Sequence, residues 1–124
     1  MKRDMDVIRK IALATAELGH GQVLSAVNGI DETAFVMHVQ WMSEAGLLHA
    51  ALAPKDSKAP AKHAVVYRLS WAGCEFADAV QSDTLWHKAK GSVLKPGISF
   101  TFDVLRDWLK TEITQGLPTL RQLG

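Results

Sequence analysis

Residues 31–48 read DETAFVMHVQWMSEAGLL, and this stretch decides the fold. Asp31 is a good helix N-cap, and apolar residues then recur at helical spacing. At about 100° per residue, one face of this helix is predicted to lie in the core. That face carries Ala34, Phe35, His38, Val39, Met42 and Ala45. Gly46 is predicted to end the helix in a left-handed conformation, so that Leu47 folds back on the last turn.

A hairpin is predicted directly after this helix. Residues 47–53 (LLHAALA) and 63–70 (HAVVYRLS) have strand-like composition, and the polar loop PKDSKAPAK at residues 54–62 separates them. We call this loop the wing. The side chains that alternate along the two strands are Leu48, Ala50 and Leu52 on the first and Val65, Tyr67 and Leu69 on the second.

The segment before residue 31 predicts a helix and a short strand. Asp4 is expected to cap the helix, and Gly19 and Gly21 are expected to end it, with Gly19 in a left-handed conformation. Residues 22–27 (QVLSAV) are rich in strand-forming residues and lead into an Asn-Gly turn signal, so they are predicted as a short strand.

Three further helices are predicted after the hairpin. Their start signals are Ser70, then Ser82 or Asp83, then Ser99 or Thr101. A Pro-Gly pair at residues 96–97 precedes the last helix, and Gly116 with Pro118 stops it. Its apolar stripe is Phe102, Leu105, Leu109 and Ile113.

This order of elements indicates an α+β, winged-helix-like domain with additional C-terminal helices. A standard winged helix has a separate helix before its recognition helix, and here only the extended-looking QVLSAVNGI occupies that place. We predict a winged-helix-like core at residues 1–81 and a C-terminal helical extension at residues 82–124, packed on the core within a single domain.

Composition limits the classes of function. The chain has 124 residues, 14 basic and 13 acidic side chains and a net charge of +1, so it has no overall attraction for nucleic acid or membrane. Cys74 is the only cysteine, so the chain can form no internal disulfide. No stretch has the roughly 20 apolar residues of a membrane span, and we expect a cytoplasmic protein.

Three motifs carry a resemblance to a known family. MKRDMDVIRKI at residues 1–11, HVQWMSEAGLL at 38–48 and YRLSWAGCEFADAVQSDTLWHKAK at 67–90 resemble the bacterial and phage family called domain of unknown function 2513. The resemblance covers nearly the whole chain. It implies a winged-helix-like fold and frequent occurrence in phages and prophages, and it brings no assigned activity or site residues. The sequence departs from the usual family pattern at Ala72 and Cys74.

The sequence contains no motif for catalysis or for a metal. It lacks a phosphate loop, a nucleophile elbow and a zinc-protease helix. No two histidines lie three or four residues apart, and none joins Cys74 in a metal-ligand spacing. His38 is predicted to be a core-edge histidine bonded to backbone. The acidic pairs at residues 4 and 6 and at 103 and 107 are read as helix-start charges and surface ion pairs. We therefore expect no enzyme and no cofactor.

The outward face of the 31–48 helix is the candidate binding surface. The helix is acidic through Asp31, Glu32 and Glu44 and has no lysine or arginine, which makes it a poor reader of DNA. Exposed Met and Trp without nearby lysine are typical of a protein interface. The predicted partner-binding residues are Thr33, Val36, Met37, Gln40, Trp41 and Glu44. The expected partner is another protein, from a host or phage complex. The sequence leaves two alternatives open. The chain forms a homodimer, or the C-terminal helices cover Met37 and Trp41.

DNA binding is the alternative function. It would use basic residues outside that helix, as a phosphate-contacting rim with little sequence readout. Those residues are Lys2, Arg3, Lys55, Lys58, Lys62, Lys88 and Lys90.

Overall fold

The structure is a computed structural model that describes residues 1–56, 58–95 and 101–116. Within these residues the chain has five helices and one two-stranded antiparallel sheet, so the class is α+β, as predicted. The elements are α1 (Met5–Ala16), α2 (Glu32–Glu44), β1 (Leu48–Ala53), β2 (His63–Leu69), α3 (Trp71–Ala79), α4 (Asp83–Gly91) and α5 (Phe102–Gly116). The predicted break at 96–97, the start signal at 99 and the stop signal at 118 lie outside the described residues.

The chain divides into two compact units, Met1–Ala77 and Asp78–Gly124. The first unit contains α1, α2, the hairpin and most of α3, and the second contains α4 and α5. The division falls within α3, slightly before the boundary after residue 81 that the sequence predicts.

The residues predicted to begin and end α2 have these roles in the structure. The Asp31 side chain accepts a hydrogen bond from the Ala34 N–H over 2.8 Å and so caps the first turn. Gly46 has a φ of +75°, and the Leu47 N–H returns to the Met42 carbonyl over 2.9 Å. The predicted left-handed end of the helix is therefore confirmed. Ala45 is exposed, contrary to its inward assignment, because it is already the C-cap and lies past the packed turns.

The hairpin contains an irregularity that the sequence does not reveal. His49 lies opposite Arg68, but the next residue, Ala50, lies opposite Val66, so Tyr67 is an extra residue in β2. Such a bulge interrupts the alternation of inward and outward side chains.

Burial follows the bulged register. The buried side chains of β2 are Ala64, Val66 and Leu69, while Tyr67 is 52% exposed. The predicted alternation of Val65, Tyr67 and Leu69 on one face is therefore wrong. On β1 the predicted set holds, since Leu48 is buried and Ala50 and Leu52 are half-buried.

The short strand predicted at residues 22–27 is reduced to a single bridge. Leu24 and Val66 exchange two backbone hydrogen bonds of 2.9 and 2.8 Å. β2 therefore lies between β1 and Leu24, and the first unit is winged-helix-like.

α1 begins as predicted and ends differently. The Asp4 side chain accepts from the Asp6 N–H over 2.9 Å and caps the helix. The left-handed glycine after α1 is Gly21, with a φ of +82°, and not Gly19. The reason is that the C-cap of α1 is Glu17, which has a right-handed conformation. The Gly19 N–H instead donates a hydrogen bond to the Gln22 side chain.

The core of the first unit forms where α2 packs against α1, β1 and β2. Its buried apolar side chains include Ile8, Ile11, Phe35, Val39, Met42, Leu48 and Val66. Burial of such side chains stabilises a fold by roughly 1.5–3 kcal/mol each.

In the second unit α4 packs against α5. Ser82 caps α4 through the Leu85 N–H, and Thr101 accepts from the Val104 N–H at the start of α5. The buried side chains of the two helices are Trp86, Ala89, Leu105 and Leu109. Ile113, predicted to continue the stripe, is 39% exposed. Among the described helices, none has the length and apolar character needed to cross a membrane.

Candidate protein-binding surface

The outward face of α2 is smaller than the sequence predicts. Thr33 and Glu44 are exposed, and Met37, Gln40 and Trp41 are half-buried. We call these five residues the outward face. They run from the first turn of α2 to its last residue. Two of them, Met37 and Trp41, are apolar, and the other three are polar or charged.

Val36 does not belong to this surface. It was predicted to point outward, but it is only 4% exposed, so that prediction is wrong. The physical reason is that α2 packs against three elements of the first unit. At 100° per residue, its buried positions span an arc of about 160°, from His38 to Val36, which is wider than a minimal amphipathic stripe.

His38 has the structural role predicted for it. The side chain is 2% exposed, its Nδ1–H donates to the Ala34 carbonyl over 2.7 Å, and its Nε2 accepts from the Asp4 N–H over 2.9 Å. The ring thereby fixes the start of α1 to α2. Trp41 packs edge-on against the same ring, with 5.1 Å between ring centroids and an interplanar angle of 88°. The position of Trp41 on the outward face therefore depends on His38.

Gln40 connects α2 to the wing. Its Oε1 accepts a hydrogen bond from the backbone N–H of Ala61 over 2.9 Å. Gln40 is the one residue on the outward face of a type suited to bidentate base reading, and its carbonyl oxygen is used within the molecule.

A groove of about 590 Å³ lies between α2 and β1 and continues along the beginning of the wing. It is lined by Gln40, Ser43, Glu44, Ala50, Leu52, Pro54, Lys55 and Asp56. Two of the five outward-face residues, Gln40 and Glu44, therefore border a concave surface rather than an open helix side.

The charge of α2 and of the residues that flank it is negative. Asp31, Glu32 and Glu44 are exposed, and residues 31–54 contain no lysine or arginine. The imidazole of His63, at the start of β2, lies beside one of these carboxylates. Its Nδ1 is 4.0 Å from the Glu32 carboxylate oxygen. A helix with this charge repels a polyanion at close range.

The basic residues predicted for DNA contact lie in both units. Lys55, Lys58 and Lys62 are exposed on the wing, and Lys2 and Arg3 are exposed ahead of α1. Lys88 and Lys90 belong to α4 in the second unit, and the Lys88 Nζ pairs with the Glu112 carboxylate at 2.5 Å. The first unit thus brings three lysines together on one loop, while the charge of Lys88 is offset within its own unit.

The acidic pairs have ordinary structural roles. Asp4 is the N-cap of α1, and the Asp103 carboxylate pairs with Arg106 one turn along α5 at 3.1 Å. In the part of the chain that the structure describes, no group of three or more His, Cys, Asp or Glu side chains is arranged to hold a metal ion.

Sequence reasoning missed several exposed apolar side chains in the first unit. Trp71, the first residue of α3, is 82% exposed, and Val23 and Tyr67 are 49% and 52% exposed. Val23 and Tyr67 are side by side, because the Leu24–Val66 bridge is antiparallel and they are the adjoining residues. They border a cleft of about 400 Å³ that also contains Cys74, which is exposed. The bulge at Tyr67 has no recognisable signal in the sequence, so this region was not foreseen.

These features define a winged-helix-like α+β unit followed by two helices. Residues 2–99 match the family described as "Hypothetical protein (DUF2513)", and the chain belongs to that family. The resemblance inferred from the three motifs is therefore confirmed.

A relative of similar length is found in Haemophilus influenzae. This "Uncharacterized protein" is 26% identical over 121 residues, which cover 94% of this chain and 99% of the relative. No solved structure is significantly similar to the chain.

Proposed function

We propose that the chain is a non-enzymatic recognition module that binds another protein through the outward face of α2 and the adjoining groove. The observation that carries this proposal is the composition of that face. Half-exposed Met37 and Trp41 lie among polar and acidic side chains, and α2 has no cationic residue. Interfaces between proteins are enriched in Trp and Met and depleted in lysine. The setting proposed is a phage or prophage protein that acts in the cytoplasm on a host or phage complex.

The geometry also argues against a role for α2 as a DNA-reading helix. Its exposed carboxylates oppose phosphate, and the Gln40 carbonyl oxygen is bonded to the wing. A partner that docks by apolar contact and shape is compatible with both features.

The test is affinity capture from nuclease-treated host lysate at about 0.5 M salt, where attraction between exposed charges is strongly screened. Wild type is compared with Met37→Asp and Trp41→Ala. The matched control is Val23→Asp, which places the same charge on an exposed apolar residue outside α2. We expect one partner to be retained by wild type and by Val23→Asp and lost from Met37→Asp. Capture that disappears with nuclease, or that survives Met37→Asp, contradicts the proposal.

One observation favours DNA binding as a second candidate. Lys55, Lys58 and Lys62 are all exposed on one loop, which allows a sequence-independent contact with phosphates. This candidate predicts retention on random duplex DNA that falls steeply with salt and weakens when all three lysines are changed to alanine. If the partner is a second copy of this chain, light scattering should give twice the mass of the monomer.

A further inference from the structure

The groove beside α2 has an edge strand as one wall. β1 pairs with β2 on one side, and within the described residues no strand pairs with its other side. An edge strand presents backbone N–H and C=O groups that can pair with an additional strand.

The direction of those groups follows from the pairing of Val66. Both the N–H and the carbonyl of Val66 bond to Leu24, on the side of β2 that faces away from β1. The pair of Val66 with Ala50 is therefore of the non-hydrogen-bonded type. It follows that the N–H and C=O of Ala50, and of Leu52 two residues later, point to the open side of β1.

Ala50 and Leu52 are also the two β1 residues that line the groove. The same residues thus offer backbone groups at the edge and small or medium apolar side chains toward the groove. This combination fits an extended segment that lies alongside β1 and places alternate side chains toward α2.

The wall of the groove opposite β1 indicates which charge a bound segment should carry. It consists of Gln40, Ser43 and Glu44 from a helix without lysine or arginine. The other two charged lining residues, Lys55 and Asp56, have opposite charges, so together they add no net charge to the groove. Glu44 is therefore the uncompensated charge of the groove, and it favours a basic side chain in the segment that binds.

We propose that this groove binds an extended, lysine- or arginine-containing peptide segment of a partner protein as an added strand on β1. The proposal rests on the proposed function and names its mode of binding. The added strand makes backbone hydrogen bonds to Ala50 and Leu52, directs small apolar side chains toward α2 and directs a basic side chain toward Glu44.

The probe is the fluorescent, end-blocked peptide Lys-Thr-Val-Thr-Lys, measured by fluorescence anisotropy with the full chain. In a peptide that pairs antiparallel to β1 with its valine opposite Ala50, the valine faces the groove and its own N–H points at β1, while the threonine N–H groups point away. N-methylation of the valine should weaken binding about tenfold, since a hydrogen bond contributes about 1.4 kcal/mol. N-methylation of a threonine, the matched control, should change affinity less than about threefold. Replacing both peptide lysines with glutamate should also weaken binding.

Protein variants give an independent comparison. Ser43→Trp fills the groove from the helix side, and Thr114→Trp places the same side chain on an exposed position of α5, which belongs neither to the groove nor to the outward face. We expect Ser43→Trp to abolish peptide binding and Thr114→Trp to leave it unchanged. No saturable binding to wild type, equal binding of the two methylated peptides, or equal effects of the two tryptophan variants overturns strand addition.

The two proposals fail in different ways. If lysate capture depends on Met37 but is unaffected by Ser43→Trp, protein recognition by α2 stands and strand addition is wrong. If capture depends on neither, both proposals are wrong.

Discussion

Gly73 lies against the carbonyl oxygen of Leu47 so closely that a Cβ added at Gly73 would be 1.8 Å from that oxygen. Hydrogen bonds surround this contact. The Ser70 hydroxyl donates to the Gly46 carbonyl over 2.6 Å, and the Ser70 N–H donates to Leu47 over 3.0 Å. Ser70 also accepts from the Gly73 N–H and so caps α3. The turn after α2 and the start of α3 therefore form one structural joint, although they are distant in sequence and lie in two different motifs of the family resemblance.

We expect Gly73→Ala to lower the free energy of unfolding by about 3 kcal/mol, because the nearest atoms belong to backbone that cannot rotate away. The measurement is equilibrium unfolding in urea followed by circular dichroism. Gly91→Ala is the matched control, since a Cβ there meets nothing within 4 Å and its effect should stay within about 0.5 kcal/mol. Equal stability of the two variants would show that the joint yields easily.

The His38 ring is expected to carry its proton on Nδ1, because Nδ1 faces the Ala34 carbonyl and Nε2 faces the Asp4 N–H. Long-range ¹H–¹⁵N correlation spectra identify this tautomer directly. Replacing His38 with leucine leaves the Asp4 N–H without its acceptor and should cost about 2 kcal/mol of stability. His49→Leu, on an exposed strand position, should cost far less. A proton found on Nε2 would contradict the assigned hydrogen bonds.

Much of the fold could be predicted because its signals are local. Asp31 and Gly46 bound α2 through caps that involve residues no more than five positions away, and the periodicity between them indicates a helix. The errors arise where distant residues decide the outcome. Tyr67 is turned outward by a bulge in its pairing with β1, and Gly19 is held by the Gln22 side chain instead of forming a left-handed cap.

The candidate site could be predicted only in part. The charge of α2 is a property of composition, so the acidic character on which the prediction of poor DNA reading rests can be seen in the sequence alone. Val36 was misplaced because the width of the buried arc depends on how many elements pack on the helix. The groove was not predictable either, since it depends on the position of β1 relative to Ser43 and Glu44.

Gln40→Ala should release the wing from α2 without unfolding the unit. The lost hydrogen bond to Ala61 is one neutral contact, which contributes only about 1 kcal/mol. Limited trypsin digestion should therefore cut the wing several-fold faster at Lys55, Lys58 and Lys62, with little change in the unfolding midpoint. Thr33→Ala, on the same helix face, is the control and should leave the digestion rate unchanged. If cleavage of the wing is equally fast in both variants and in wild type, the Gln40 bond does not restrain the wing.

The exposed carboxylates of Asp31, Glu32 and Glu44 should make the α2 surface oppose DNA binding, and adding positive charge to this helix tests the expectation directly. Thr33→Lys combined with Glu44→Lys raises the net charge by three on exposed positions of the helix. We expect this variant to bind random duplex DNA about tenfold more tightly at low salt, with a log–log salt slope steeper by about 0.9 for each new phosphate contact. Glu17→Lys combined with Thr114→Lys is the control, because it makes the same change in net charge on exposed residues outside α2. Equal gains in the two variants would mean that net charge alone governs DNA affinity and that the acidic surface of α2 has no effect of its own.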